Sequence, residues 1–284
     1  MGDSLEEPAG PGPDQGNGER ACVVWIGCGG CDGCTMSVLG AVSPTLEELL
    51  AGELTSIPCI DLIHPVLSLE SGSGYIERLE EAAGGELDPF LLVVEGSLFD
   101  ERRAAEGCFS GLGERGGQPI AAEEWVTTLA PKAAAVMAIG TCATGGGIPA
   151  AAGSVTGAMG LGSLLGRGFR SSADLPVVNV PGCAPSGDAF IETLAAVFLH
   201  LAGLVPLDLD ELGQPRWLYS SGTPLQSQQL AWTGRRTPGD TAMCPVPERG
   251  WINRVGGCAV TGGACNGCTR ADFPDRLLPL VDPR

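Results

Sequence analysis

The chain has 284 residues, twelve cysteines and a formal net charge of −18 from 16 basic and 34 acidic residues. This charge disfavours nucleic acid or an anionic membrane surface as the main partner. No run reaches the roughly 18 apolar residues of a membrane-spanning helix. No charged-then-apolar leader opens the chain, so we expect reduced, metal-binding thiols in the cytoplasm rather than a secreted disulfide framework.

Residues 1–20 are acidic and rich in glycine and proline, which predicts a disordered arm. From 21 to 204, short apolar runs alternate with segments of helical periodicity, which is typical of a parallel α/β sheet. Strands are predicted at 21–26, 57–63, 90–96, 133–140 and 175–180, and helices at 35–52, 74–85, 121–131 and 186–204. The alternation then stops. We predict a flavodoxin-like parallel sheet domain, followed at 205–284 by a loop-rich domain.

Several cysteines directly follow predicted strands. Cys28, Cys31 and Cys34 come after the first strand, Cys142 after the fourth and Cys183 after the fifth. Because ligands gather at the carboxyl ends of parallel strands, these loops are expected to converge. They look like ligand loops for an iron–sulfur cluster, which indicates electron transfer.

The tail offers little core material and needs another source of stability. A metal held by its four cysteines can provide it: Cys244, Cys258, Cys265 and Cys268. Spacing alone does not distinguish zinc from an iron–sulfur cluster in the tail. The same ambiguity holds for Cys31 and Cys34, where a thioredoxin-like redox pair is a third alternative.

The glycine-rich loop after the first strand also partly fits a dinucleotide-binding turn. Gly27 and Gly29 fit the first two positions of the GxGxxG pattern. Asp32 stands where the third glycine belongs, and its carboxylate would repel a pyrophosphate. The later GAMGLG segment follows no predicted strand, so this interpretation is disfavoured.

Five sequence blocks carry a family resemblance. They are CDGC (31–34), LLVVEGS (91–97), GTCATGGGIPAA (140–151), VNVPGC (178–183) and NRVGGCAVTGGACNGCTRADFPD (253–275). In this order they resemble the motifs of the small, electron-transferring subunit of NiFe hydrogenases. The last block is similar to the end of actinobacterial-type small subunits.

The resemblance implies two clusters, a proximal one in the sheet domain at 21–204 and a medial one in the loop-rich domain at 205–284, which would be an iron–sulfur domain. The ligands of a proximal 4Fe-4S cluster would be Cys31, Cys34, Cys142 and Cys183. The medial ligands would be Cys244, Cys265 and Cys268. Many family members hold a 3Fe-4S cluster at the medial position, but Cys258 offers a fourth thiolate here, so we predict a medial 4Fe-4S cluster. Residues 205–243 contain no cysteine or histidine, and we expect no distal cluster.

The implied function is electron conduction in a heterodimer. H2 would be split at the nickel–iron centre of a large subunit, and this chain would pass electrons to a soluble acceptor or a further redox subunit. It would be active only with that large subunit. Because no twin-arginine leader is present, we expect the complex to be in the cytoplasm.

Two alternatives belong to other classes. One is the cluster subunit of a complex I-type quinone reductase, which typically has adjacent cysteines in its first loop and lacks the second cluster-binding tail. The other is a zinc-stapled interaction module.

Three further residues stand near the predicted ligands. Cys28 is expected to be inert, or close to the cluster without binding it. Glu95, at the end of its strand, is expected to be a structural hydrogen-bond acceptor. His64 resembles a histidine common in the family, and the sequence assigns it no chemistry.

Overall fold

The computed structural model describes residues 20–68 and 72–219, and in the tail residues 244, 246, 250, 251, 254–256, 267–269, 273 and 274. Residues 1–19 of the predicted arm lie outside the described residues. Within the described part of the chain, no helix is long and apolar enough to cross a membrane.

A five-stranded parallel sheet forms the centre of the fold. The strands of the described residues are β1 (Arg20–Gly27), β2 (Cys59–Ile63), β3 (Phe90–Glu95), β4 (Gly111–Arg115), β5 (Gln118–Ala121), β6 (Ala135–Ile139) and β7 (Val178–Val180). Five of them form the sheet in the order β2-β1-β3-β6-β7, and every neighbouring pair is parallel. This order is that of flavodoxin-like folds. The predicted fold class and all five predicted strands are confirmed.

The sheet strands are almost wholly apolar because both faces of the sheet are covered. Along β1, Val23 and Trp25 belong to one core cluster, whereas Val24 and Ile26 belong to the other. All four side chains are at most 3 % exposed. Successive residues of a strand point to opposite faces, so the two clusters lie on opposite sides of the sheet.

Helices cover these faces and follow the sheet strands. Their bounds are α1 (Gly33–Leu39), α2 (Leu46–Leu50), α3 (Ser73–Gly84), α4 (Ala122–Leu129), α5 (Gly140–Gly145), α6 (Leu161–Leu165), α7 (Gly187–Leu201) and α8 (Arg216–Tyr219), with 3-10 turns at Glu101–Arg103 and Ile148–Ala150. The helices predicted at 74–85, 121–131 and 186–204 are confirmed within a few residues at each end. The short helix α5 was not predicted.

The single helix predicted at 35–52 is wrong, because the chain forms α1 and α2 there. Gly40 caps the end of α1, and Pro44 cannot continue a helix because it lacks an N–H group. Thr45 then begins α2 with a capping box. Its hydroxyl accepts from the N–H of Glu48 (3.1 Å), and the Glu48 carboxylate accepts from the N–H of Thr45 (2.8 Å).

The sequence also hid an antiparallel hairpin. Strands β4 and β5 pair across a turn at Gly116 and Gly117, a dipeptide that suits a tight hairpin. Glycines within β4 obscured the alternation of apolar and polar residues by which strands are recognised.

The segment after the last long helix returns to the sheet. Leu218 and Tyr219 in α8 are buried in the same core cluster as Phe190 of α7. The hydroxyl of Tyr219 donates to the carbonyl oxygen of Pro181 (2.8 Å), close to Cys183. The division of the chain at 204 and 205 stays a prediction.

Candidate metal centre

The four predicted proximal cysteines lie on three loops at one edge of the sheet. Cys31 and Cys34 follow β1, and Cys34 is in the first turn of α1. Cys142 lies in α5, which begins directly after β6, and Cys183 follows β7 by three residues. Because the strands are parallel, their carboxyl ends share that edge. The structure therefore brings the four cysteines together.

The thiol of Cys34 interacts electrostatically with the other three. Burial is the largest cause of its raised pKa, followed by the carboxylate of Glu95 and then by Cys142, Cys183 and Cys31. Burial also raises the pKa of Cys142, with a further contribution from Cys31. Such effects need groups that lie close together. Binding of a metal cluster would therefore release protons from these thiols.

Two glycines leave room for the sulfur atoms. A methyl group at Gly140 (φ 83°) would collide with the Sγ atom of Cys34. One at Gly147 (φ 55°) would lie 2.6 Å from the Sγ atom of Cys142. Both residues have a positive φ, which favours glycine, and the missing side chain lets the main chain approach each sulfur closely.

The donor set fits an iron–sulfur cluster. Such clusters are held by four cysteine thiolates, and backbone N–H groups commonly surround their sulfur atoms. Cys31 and Cys183 are exposed, whereas Cys34 and Cys142 are half-buried, so the site is open on one side. Within the described residues, no three histidine, cysteine, aspartate or glutamate side chains are gathered to hold a single metal ion.

Glu95 fixes the start of α1 from the end of β3. Its Oε1 atom accepts from the N–H groups of Cys34 (3.0 Å) and Thr35 (3.2 Å). Its Oε2 atom accepts from the indole N–H of Trp25 (3.2 Å) and from the Thr35 hydroxyl (2.5 Å). The residue is only 4 % exposed. Its predicted role as a structural acceptor is confirmed.

His64 extends this hydrogen-bond network. Its Nδ1 atom accepts from the N–H groups of Val66 (3.1 Å) and Leu67 (3.3 Å), which leaves the proton on Nε2. Nε2 then donates to the hydroxyl of Thr35 (3.1 Å), and that hydroxyl donates to Glu95. Burial lowers the pKa of His64 to about 4, so the ring is neutral at pH 7.

Cys28 lies apart from the four converging cysteines. It packs against the core cluster on the face of the sheet opposite to the one that Cys34 contacts. Burial raises the pKa of Cys28 to about 12, with smaller contributions from Glu101 and Glu95. A buried thiol in apolar surroundings is unreactive. This placement favours the expected inert role.

The predicted medial ligands are described only in part. Cys244 and Cys268 are among the described residues, and Cys258 and Cys265 lie outside them. How the four thiols stand relative to one another therefore stays a prediction.

The described tail residues contact the loop that carries Cys183. The indole N–H of Trp251 donates to the carbonyl oxygen of Ala184 (2.9 Å). Arg254 pairs with the buried carboxylate of Asp188 at the start of α7 (Nε to Oδ2, 3.3 Å). The tail thus adjoins the edge where the proximal cysteines converge.

Two threonines near the site were missed by sequence reasoning. Thr35 follows Cys34 and joins Glu95 to His64, while Thr141 precedes Cys142 and contacts the tail. Both are 5 % exposed. The available signal was a hydroxyl residue directly beside a predicted ligand, although sequence does not tell which partner it meets.

The fold and its cysteine-bearing edge define the class of protein. The family model described as NADH ubiquinone oxidoreductase, 20 Kd subunit, matches residues 31–197, which is more than half of the chain. The chain is a member of that family of redox subunits.

Similar proteins narrow the class further. The periplasmic [NiFeSe] hydrogenase small subunit of Desulfomicrobium baculatum is 31 % identical over 92 % of this chain and 87 % of its own. The Hydrogenase-2 small chain of Escherichia coli K12 is 32 % identical over 72 % of this chain and 48 % of its own. An actinobacterial-type NiFe hydrogenase structure from Ralstonia eutropha H16 matches with a TM-score of 0.82 and 40 % identity, covering 93 % of this chain and 82 % of that one.

This chain belongs to the small subunits of NiFe hydrogenases, and membership implies iron–sulfur clusters. The predicted family is confirmed. Relatives that align with almost the whole chain are hydrogenase subunits, so neither the complex I-type subunit nor the zinc-stapled module is favoured.

Proposed function

We propose that this chain conducts electrons between the nickel–iron site of a large subunit and an external acceptor. The observation that carries the proposal is the convergence of three cysteine loops at one edge of the sheet. Cys31, Cys34, Cys142 and Cys183 would hold a proximal 4Fe-4S cluster. When bound, such a cluster supplies a one-electron carrier whose potential depends on ligation, hydrogen bonds and solvent exposure.

The other side chains at this edge position the ligands. Glu95 and Thr35 hold the first turn of α1, so Cys34 keeps its place relative to β3. Gly140 and Gly147 let the backbone approach the sulfur atoms closely. These residues control how tightly the thiols are held and how far water is excluded, and both properties tune a bound metal group.

We propose that the tail holds a second, medial 4Fe-4S cluster. Its ligands would be Cys244, Cys258, Cys265 and Cys268, with a 3Fe-4S cluster as the alternative. The number of thiols in the tail supports four irons. Residues 205–243 offer neither cysteine nor histidine, which supports the absence of a distal cluster.

The partner would be the nickel–iron large subunit, docked over the open side of the proximal site. Exposed apolar side chains near the cysteines support such an interface: Met36 and Leu39 on α1, and Ile148 after α5, are each at least 40 % exposed. Electrons would leave toward a soluble acceptor or a further redox subunit. Size-exclusion chromatography of the co-expressed chains tests the expected heterodimer.

We also propose a cytoplasmic location, because the predicted ligand thiols must stay reduced until they bind metal. The relative in Desulfomicrobium baculatum is described as periplasmic. Cell fractionation with marker enzymes for each compartment decides between the two.

The test is anaerobic co-purification of the tagged chain with its partner, followed by metal analysis and H2-dependent dye reduction. About eight irons per chain are expected for two 4Fe-4S clusters, together with nickel in the partner. Mössbauer spectra distinguish a medial 3Fe-4S cluster from the proposed 4Fe-4S cluster. Zinc without nickel or H2 oxidation would instead support the zinc-stapled module.

Two single-atom substitutions sharpen the ligand assignment. Cys183→Ser should lose the proximal signal, since a serine oxygen replaces a thiolate ligand. Cys28→Ser is the matched control and should keep it, because Cys28 faces the opposite side of the sheet. Loss of the proximal signal in Cys28→Ser, with retention in Cys183→Ser, would reverse the assignment.

A further inference from the structure

The buried hydroxyl of Thr141 connects the loops that carry the predicted proximal and medial ligands. The Oγ1 atom of Thr141 donates to the carbonyl oxygen of Cys268 (2.8 Å) and accepts from the N–H of Gly182 (3.1 Å). The N–H of Thr141 in turn donates to the carbonyl oxygen of Gly182 (2.9 Å). The residue is only 5 % exposed. All of its polar groups named here therefore have partners that fix the side chain in one position.

The position of Thr141 in the sequence gives these bonds their meaning. Thr141 precedes Cys142, and Gly182 precedes Cys183, so each of the two paired residues lies directly before a predicted proximal ligand. Cys268 is a predicted medial ligand. A single hydroxyl thus contacts the backbone beside two proximal ligands and the backbone of one medial ligand.

Two tail contacts described above lie farther along the chain from Cys268. Trp251 binds Ala184 and Arg254 binds Asp188, so they anchor an earlier part of the tail. The Thr141 hydroxyl acts at Cys268 itself. Packing alone does not require a hydroxyl at this position, because valine has the same shape as threonine.

We propose that Thr141 is a positioning residue that fixes the medial ligand loop against the proximal ligand loops. This inference rests on the proposed two-cluster function. The hydroxyl bridges the two loops directly, and a hydrogen bond of 2.8 Å has the usual length for O–H···O. Its removal leaves a buried N–H and a buried carbonyl without this partner, so the loops are expected to shift apart or adopt several spacings.

The experiment compares variants of the anaerobically purified heterodimer with both clusters reduced. Pulsed EPR measures the magnetic interaction between the two clusters, which depends on their separation and relative orientation. Thr141→Val removes only the hydroxyl, and Thr141→Ser restores it. Thr144→Val is the matched control, since Thr144 lies in the same helix and its hydroxyl bonds only weakly to the carbonyl oxygen of Thr141 (3.5 Å).

We expect Thr141→Val to weaken or broaden the interaction, or to lose the medial signal alone, with iron falling from about eight to about four per chain. Thr141→Ser and Thr144→Val should match the wild type. The proposal is overturned by a wild-type interaction in Thr141→Val, by equal loss in Thr141→Ser, or by loss of both cluster signals, which would indicate a general folding role.

Failure of the proposed two-cluster function would be seen in the wild-type heterodimer and not in the variants. If the wild-type heterodimer itself carries no pair of clusters, the two-cluster function is refuted before any variant is compared, and the positioning role is refuted with it. If the wild type carries both clusters and Thr141→Val leaves their interaction unchanged, only the positioning role fails.

Discussion

Replacement of Glu95 by glutamine tests whether the buried carboxylate holds the first cysteine loop. The glutamine oxygen can still accept from the N–H groups of Cys34 and Thr35. The amide NH2 group then faces two donors, the indole N–H of Trp25 and the hydroxyl of Thr35, in place of the oxygen that accepted from both. The hydroxyl can rotate to accept from the amide, but the indole N–H cannot.

The magnitude follows from these contacts. Hydrogen bonds to a charged group contribute about 1.5–3 kcal/mol each, so two lost bonds lower the free energy of unfolding by about 3–6 kcal/mol. A new neutral bond between the amide and Thr35 recovers about 1 kcal/mol. We expect a net loss of about 2–5 kcal/mol, with its centre at about 3.5 kcal/mol. At about 2–4 °C per kcal/mol for a chain of this size, that central value lowers Tm by about 7–14 °C.

The assay is calorimetric unfolding of the anaerobic heterodimer at pH 7 and one fixed scan rate. Glu124→Gln is the matched control, because Glu124 is half-exposed and pairs with Arg115 at the surface (2.7 Å). A surface pair contributes at most about 1 kcal/mol, so its Tm should change by less than about 4 °C. A Tm difference of about 2 °C corresponds to only about 0.5–1 kcal/mol. If the Tm of Glu95→Gln lies within this difference of the Tm of Glu124→Gln, the proposed bracing of α1 is wrong.

Two further predictions concern His64 and Gly140. The folded protein protonates His64 near pH 4, whereas the unfolded chain protonates it near pH 6.5. The free energy of unfolding should therefore fall by up to about 3 kcal/mol as the pH decreases from about 6.5 to about 4. His64→Asn should remove this pH-dependent fall, as measured by thermal melts at several pH values. A difference in stability between the variant and the wild type that stays constant with pH contradicts the prediction. Gly140→Ala should lose proximal iron because its methyl group collides with the Cys34 sulfur, while Gly145→Ala, which meets no atom within 4 Å, should keep it by metal analysis. Equal iron in both variants would refute the steric argument.

The sheet was predictable because its strands must be apolar on both faces. Runs such as 90–96 and 133–140 have no polar alternation, which indicates strands covered by helices on both sides. Helix boundaries were less predictable. The break at Gly40 and Pro44 was marked in the sequence, but apolar residues at helical spacing continued across it. The hairpin β4–β5 was hidden because its glycines carry no pattern of burial.

The candidate site was predictable to the extent that topology determines it. A cysteine after each of three parallel strands must lie at the same edge, so Cys34, Cys142 and Cys183 were expected together. Contacts between side chains from distant segments were not predictable in this way. Thr35 meets His64 across 29 positions, and Thr141 meets Cys268 across 127. No local pattern encodes either pair.

The place of Glu95 shows how hydrogen bonding and charge compete at this edge. Its carboxylate holds the cysteine loop through N–H groups, yet the same charge raises the pKa of Cys34 and of Cys142, after the larger effect of burial. Without metal, the thiols are therefore kept protonated beside a fixed negative charge. A bound 4Fe-4S core would supply positive charge that partly neutralises the four thiolates, so it would weaken this repulsion without reversing it, because the core with its four thiolates keeps a net negative charge. The carboxylate of Glu95 thus disfavours four free thiolates more than it would disfavour the same thiolates bound to a cluster, while its hydrogen bonds hold the first cysteine loop in place.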